Sequence, residues 1–369
     1  MKVGIVGLPQ VGKSTIFNLL TGGDADISSW AGRAEAHIGV AQVPDAKLDR
    51  LAALFKPKKT TYATVEYVDL PGLARGEGKA AQQGQAKDLE TYLVNLKNVD
   101  ALLHVVRAFD DANIPHSEGS VDPGRDISLF ELEMIFADLA VVERRLERLE
   151  KDLKKSRNAD LELEHSVLGR FKAALEQEKP LRGMELTPQE AKRVRGFTFL
   201  SAKPVLQVLN LGDRDAKRLS GAAAAFGLDR TGCGPGVGFT AVCGKIEAEI
   251  AALPQEDARL FMEDLGLTTS GMARIIQESY GLLGLISFYT AGDPEVRAWT
   301  IPRRTTAQQA AGVIHTDFER GFIKAEVVSY SDMMELGSFA AARSKGVLRL
   351  EGKDYIVQEG DVILFRFNI

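Results

Sequence analysis

Gly7-Leu8-Pro9-Gln10-Val11-Gly12-Lys13-Ser14 lies between one apolar run, Lys2-Val3-Gly4-Ile5-Val6, and another, Ile16-Phe17-Asn18-Leu19-Leu20. The succession reads strand, loop, helix, and the loop spells G-x-x-x-x-G-K-S in the setting that pattern requires. Glycines let such a loop curl until successive backbone N–H groups point inward, and the helix behind it presents the positive end of its dipole. Gly7, Pro9, Gln10, Val11, Gly12, Lys13, Ser14 and Thr15 are therefore expected to cradle the phosphates of a nucleoside triphosphate. Lys13 is expected to reach the β- and γ-phosphates and to act in catalysis, and the Ser14 hydroxyl to hold Mg²⁺.

Outward along the chain, Ala63-Thr64-Val65-Glu66-Tyr67-Val68 reads as a strand that ends in Asp69-Leu70-Pro71-Gly72. An Asp at the carboxyl end of a strand, about 55 residues beyond a phosphate loop, suits a magnesium ligand, and Gly72 lets a backbone N–H approach the γ-phosphate. The expected metal set is thus Ser14 and Asp69. The polar, glycine-rich stretch 75–85 has no periodicity and reads as a loop that a γ-phosphate orders.

Two further runs, Ala101-Leu102-Leu103-His104-Val105-Val106-Arg107 and Pro204-Val205-Leu206-Gln207-Val208-Leu209-Asn210, are continuously apolar, as in a parallel sheet covered on both faces. The second passes into Asn210-Leu211-Gly212-Asp213, the position of a base-reading loop. Guanine readers carry Asn-Lys-x-Asp there. Leu211 removes the lysine while Asp213 keeps an acceptor, so the chemistry leaves adenine and guanine both open. Gly238-Phe239-Thr240-Ala241-Val242 leads into Cys243-Gly244-Lys245, expected to clamp the base through its backbone. Asn210, Leu211, Asp213, Cys243 and Gly244 complete the expected nucleotide contacts.

Length and composition bound the remainder. The chain has 369 residues, too many for one ordinary core, with 45% hydrophobic and 26% charged residues, as in a globular protein of two or three domains. No apolar run approaches the roughly 20 residues of a membrane span, and the N-terminus opens on a strand, so a cytoplasmic location without membrane contact is expected. Cys233 and Cys243 are too few for a disulfide framework or a zinc site. A net charge of -5 argues against a generally basic nucleic-acid binder. Lys56-Pro57-Lys58-Lys59 reads as a solvated basic turn.

Between the apolar runs 101–107 and 204–210, Leu132, Phe136, Leu139, Val142, Leu146, Leu149 and Leu153 step by three or four among charged residues. The spacing predicts a helix over 128–155, about 40 Å long at 1.5 Å per residue. A return helix is expected over 160–177, and Thr187-Pro188-Gln189-Glu190 announces a third by its capping box. After residue 284, short strands over 286–289, 296–301, 324–328, 347–350 and 362–367 alternate with helices over 306–318 and 332–343. That module shows no catalytic constellation and reads as a docking element.

These features together resemble the YchF or Obg-like ATPase family of translation-factor-class P-loop proteins over essentially the whole chain. The resemblance is carried by the phosphate loop, 69–73, the His-Val-Val-Arg core of 103–109, the helical insertion, and the C-terminal segments 288–302, 310–322 and 351–357, which look like the family's TGS domain. It implies an α/β architecture: a P-loop G-domain with a mainly parallel sheet in two segments, 1–123 and 197–283, a coiled-coil-like helical hairpin over 124–196, and a small α+β, β-grasp-like TGS domain over 284–369. It also implies slow Mg²⁺-dependent hydrolysis of ATP in preference to GTP, ribosome or ribosomal RNA as partner, a role in translation or stress response, and a hydrolytic role for His104. The residues alone leave His104 open between catalyst and core histidine.

The chain departs from the family pattern at several positions. Asp213 stands where the family has Glu, and Gln10 where it has an Asn that serves as a cation ligand in potassium-stimulated relatives. Arg33 falls at the expected switch threonine, with Ser28 and Ser29 the nearest hydroxyls, and Leu73 at the place of a water-orienting glutamine. A GTPase of the same fold and a nucleotide-binding module with little hydrolysis are the alternatives these departures raise.

Overall fold

The computed structural model of the chain describes residues 1–23, 37–70, 91–156, 158–228 and 234–368. Its chain divides into two compact units, one made of Met1–Gly39 and Glu66–Glu278, the other of Val40–Val65 and Ser279–Ile369.

The first unit is built on the sheet that the apolar runs predict. In chain order the elements are β1 (Lys2–Val6), helix α1 (Lys13–Thr21), β2 (His37–Gln42), helix α2 (Ala46–Phe55), β3 (Lys59–Thr61), β4 (Thr64–Asp69), β5 (Ala101–Ala108), β6 (Val205–Leu211) and β7 (Val237–Val242), of which α2 and β3 fall in the second unit. The sheet order is β2-β4-β1-β5-β6-β7, and β4, β1, β5, β6 and β7 pair in parallel. Every residue of β5 and β6 is buried, which is why both read as unbroken apolar runs rather than as alternating ones. The register sets Ile5 beside Asp69 and Val6 beside His104, so the carboxyl ends of β1 and β4 release the phosphate loop and Asp69 at the same edge. Ligand sites of open parallel sheets lie at that edge.

The helical insertion begins earlier than its leucine pattern suggests. Asp122 caps the backbone N–H of Arg125, Pro123 occupies the first turn, and the helix runs over Pro123–Lys155, 33 residues. At 1.5 Å per residue it is about 50 Å long. The return helix, Ala159–Leu175, is capped by Asn158, and the third, Pro188–Val194, carries the complete Thr187–Glu190 capping box. Ile135, Val142 and Leu149 form one core with Val167, Leu168, Phe171 and Leu175. Phe136 departs from the predicted stripe and is 57% exposed. The buried face near the root of the helix includes Phe130 and Met134, which join the core beneath β5 instead of the hairpin seam, so the stripe rotates along the helix. Asp138 anchors that root, accepting from the backbone N–H groups of Leu200 and Ser201 and from the Ser201 hydroxyl.

The second unit contains β8 (Leu285–Ala291), β9 (Glu295–Pro302), β10 (Phe322–Ser329), β11 (Arg349–Glu351) and β12 (Asp361–Phe367). With β3 they form a mixed sheet of order β11-β10-β12-β8-β9-β3. The two helices expected here are each broken in two: the first at His315, which is extended, the second at Gly337, whose φ is 76°. Residues 40–65 pack with this C-terminal module, whereas the sequence reading leaves them in the nucleotide domain. Lys59–Thr61 pairs in parallel with β9, Leu48 and Leu51 of α2 are buried, and the Tyr289 hydroxyl donates to Asp45, the N-cap of α2. A three-residue edge strand is too short to show a period, so the pattern offers no sign of this exchange. Of the basic turn, Lys56 adopts a left-handed conformation that ends α2, and Lys59 begins β3. Among the described residues no helix is long and apolar enough to cross a membrane.

Candidate nucleotide site

Gly7 and Gly12 explain the curl of the loop. Their φ values are 144° and 97°, and a Cβ would fall 2.4 Å from the Val105 carbonyl oxygen at Gly7 and 2.5 Å from Asn210 Nδ2 at Gly12. No other residue type satisfies both the torsion and the space. Gln10 also has positive φ, at 62°, and its side chain is exposed. Gly12 caps α1, so Lys13, Ser14 and Thr15 form the first turn, where the backbone N–H groups lack helical acceptors.

The Lys13 ammonium is 9% exposed and donates to the carbonyls of Gly7 at 3.0 Å and Leu8 at 2.7 Å. Burial lowers its pKa to about 8, and the Asp69 carboxylate pulls it in the opposite direction. Ser14 Oγ donates to Asp69 Oδ2 at 3.0 Å. Asp69 is buried, which raises its pKa against the opposing influence of Ser14 and Lys13. Its second oxygen, Oδ1, is buried and accepts no hydrogen bond from the described residues. A serine hydroxyl and a carboxylate with one unsatisfied oxygen are hard donors that suit Mg²⁺, and that buried oxygen is the feature such a cation would relieve.

Asn210 holds the second half of the site in register with the first. Its Nδ2 donates to the Val11 carbonyl at 2.9 Å, and its Oδ1 accepts from the Gly244 N–H at 3.0 Å. The phosphate loop is thus stitched through one amide to the turn after β7. Asp213 lies past the end of β6, where Lys245 pairs with Oδ2 and Cys243 Sγ lies 3.8 Å from Oδ1. The hydrogen bond from Lys245 holds the Asp213 carboxyl below its ordinary range, while burial pushes the Cys243 thiol up. A cleft of about 1310 Å³ brings together Gln10, Gly12, Lys13, Ser14 and Thr15 on one side and Asn210, Leu211, Asp213, Gly244 and Lys245 on another.

Not every expected residue reaches this cleft. His104 is 1% exposed in mid-strand and does not line it. Its Nδ1 lies 2.7 Å from Gln207 Oε1, its ring stacks on Phe130 with centroids 4.1 Å apart, and burial lowers its pKa to about 4. Gly72, Leu73, Arg33, Ser28, Ser29, Cys233 and the 75–85 segment lie outside the described residues. Sequence reasoning passed over 109–114, whose Phe109, Asp110, Asp111, Ala112 and Ile114 form a third wall of the cleft. An Asp-Asp-Ala-Asn stretch after a strand carries no motif; only its position at the carboxyl edge of β5 marks it.

Known proteins resemble the chain over its whole length. A family model described as 50S ribosome-binding GTPase matches residues 2–127, and the model for the C-terminal part of YchF GTPases, described as a protein of unknown function, matches 285–368. The chain is 42% identical to the ribosome-binding ATPase YchF of Bacillus subtilis, covering 100% of both chains. It is 40% identical to the protein of the same name from Escherichia coli O157:H7, covering 100% of this chain and 99% of the other. Obg-like ATPase 1 of Oryza sativa subsp. japonica is 36% identical, over 100% of this chain and 92% of the relative. The solved structure of the Schizosaccharomyces pombe YchF GTPase superposes with a TM-score of 0.83 at 32% identity, covering 99% and 97% of the two chains. A phosphate loop alone is shared by many nucleotide-binding folds, but here the likeness continues through the helical insertion and the C-terminal module, and the chain belongs to the YchF family of P-loop nucleotide hydrolases.

Proposed function

We propose that this chain is a slow Mg²⁺-dependent triphosphatase that prefers ATP to GTP and acts as a cytoplasmic conformational switch in translation or stress response, with the ribosome or ribosomal RNA as its partner. The observation that carries the reading is the joined cradle, in which Lys13 and Ser14 line one end of the cleft, Ser14 donates to the buried Asp69, and Asn210 ties the phosphate loop to the turn after β7. Lys13 exchanges the carbonyls of Gly7 and Leu8 for phosphate oxygens and stabilises the charge that builds on them during in-line displacement. Ser14 and Asp69 hold Mg²⁺, which when bound neutralises charge on the β- and γ-phosphate oxygens. Gly7, Pro9, Gln10, Val11, Gly12, Thr15 and Gly72 contribute the cradle, and Leu211, Asp213, Cys243 and Gly244 flank the base. The names of the Bacillus and Escherichia relatives support ATP and the ribosome as partners. The pairing of Asp213 with Lys245 favours the same base, because guanine reading needs that carboxylate free for the two donors on the guanine edge. His104, enclosed beside Gln207, stays in the hydrolytic set on the family resemblance alone; a His104→Ala chain with wild-type turnover removes it.

A GTPase is the second reading, favoured by Asp213 itself and by the name of the fission-yeast relative. Calorimetric titration with ATP and with GTP, each with Mg²⁺, separates the two: tighter ATP binding supports the first and tighter GTP binding the second. Phosphate release no faster than that of a Lys13→Ala control overturns hydrolysis. Sedimentation without nucleotide-sensitive ribosome association overturns the switch.

A further inference from the structure

Arg107, at the end of β5, is 2% exposed and forms no ion pair among the described residues. A buried cation without a counter-charge is costly unless its donors are fully used. Arg107 directs them at a single object, the backbone of the turn that follows it. Nε donates to the Phe109 carbonyl at 3.0 Å, Nη2 to that of Ile114 at 2.9 Å and Nη1 to that of Pro115 at 3.5 Å. The guanidinium carbon also lies 4.5 Å from the centre of the Phe109 ring. The far end of the same connection is held in the same way: Arg125 donates to the carbonyls of Glu118 and Ser120. Between these clamps Asp111 closes a turn, accepting the Asn113 N–H at 2.9 Å.

The turn so fixed is the cleft wall formed by Phe109, Asp110, Asp111, Ala112 and Ile114. It abuts the base-reading loop, since a Cβ on Gly212 would lie 3.3 Å from Phe109 Cβ. The phosphate end, by contrast, is shaped by Gly7, Gly12 and Asn210, to which Arg107 donates nothing. We infer that Arg107 is a positioning residue for the nucleoside half of the ligand: it sets the wall against which base and ribose rest and leaves phosphate recognition untouched. The inference rests on the nucleotide reading of the site.

Two probes separate the halves, ATP and inorganic tripolyphosphate, each with Mg²⁺ and the full chain. Arg107→Ala should weaken ATP about tenfold, less than the hydrogen bonds it removes are worth, because those bonds run to the wall and reach the ligand only through its position. Tripolyphosphate affinity should stay unchanged, KM for ATP should rise, and kcat at saturation should persist. Arg107→Lys, which keeps the charge but not the fork, should fall between. Phe109→Ala supplies an independent route if the Arg107 variants fold poorly, and should likewise weaken ATP and not tripolyphosphate. Equal weakening of both probes overturns the inference, as does unchanged ATP binding. A wild-type chain that holds tripolyphosphate as tightly as ATP also overturns it, while leaving the phosphate loop intact; a wild-type chain that binds neither overturns the nucleotide reading as well.

Discussion

Replacing His104 by leucine takes a titratable ring out of the middle of a parallel sheet, and the consequence for stability can be worked from its surroundings. Burial holds the imidazole near a pKa of about 4 against an ordinary value of 6.5, with Gln207 pulling it up and the Lys13 charge pushing it further down. The unfolded chain binds the proton as pH falls through 6.5, whereas the folded chain waits until about 4, so the native state loses ground across that window and is unaffected above it. Near pH 5 the unfolded imidazole is about 1.5 units below its pKa, which at 1.36 kcal/mol per unit costs about 2 kcal/mol relative to pH 7.5. Urea unfolding of the wild-type chain and of His104→Leu at the two pH values isolates this amount, because carboxylate titrations are common to both chains. The unpaired Gln207 amide left by leucine adds a constant offset that cancels. The wild-type chain should lose about 2 kcal/mol more than the variant on acidification. An identical loss in both would refute the argument that the ring is held neutral by burial.

Further outcomes follow from the same geometry. Asn210→Ala leaves the Val11 carbonyl and the Gly244 N–H without their partner, so the chain should lose about 1–3 kcal/mol in chemical unfolding and bind ATP more weakly. Lys245→Ala frees the Asp213 carboxylate from an exposed ion pair and should move the ratio of GTP to ATP affinity toward GTP by a few-fold at most; calorimetry with the two nucleotides measures it. Since the pKa of Lys13 is about 8 and phosphates at the site raise it, ATP binding takes up a proton above that pH. Affinity should therefore fall by up to about tenfold per unit between about pH 8 and 10, and a flat profile would show that Lys13 keeps its charge throughout.

Much of the fold was legible because the deciding signals are local. The glycine-lysine-serine loop, the fully apolar β5 and β6 and the Thr187 capping box each report a backbone requirement within a few residues, and each lies where the pattern puts it. The exchange of residues 40–65 into the C-terminal unit was not legible. It rests on a three-residue edge strand and on an Asp45–Tyr289 hydrogen bond between residues 244 positions apart. Strand pairing between distant segments leaves no period in either one.

The same division runs through the candidate site. The sequence by itself determined the curl of the loop and the first turn behind it, since glycine alone fits the positive torsions and the space at 7 and 12, and Lys13 and Ser14 follow at the positions the pattern requires. What the side chains do to one another was decided by the tertiary structure. Asn210 uses both ends of its amide on two backbone groups, Asp213 is paired by Lys245, and His104 is stacked on Phe130 rather than turned into the cleft. Those partners come from separate strands and helices brought side by side, so their effects on charge, burial and hydrogen bonding arise only from packing, which a linear pattern does not encode.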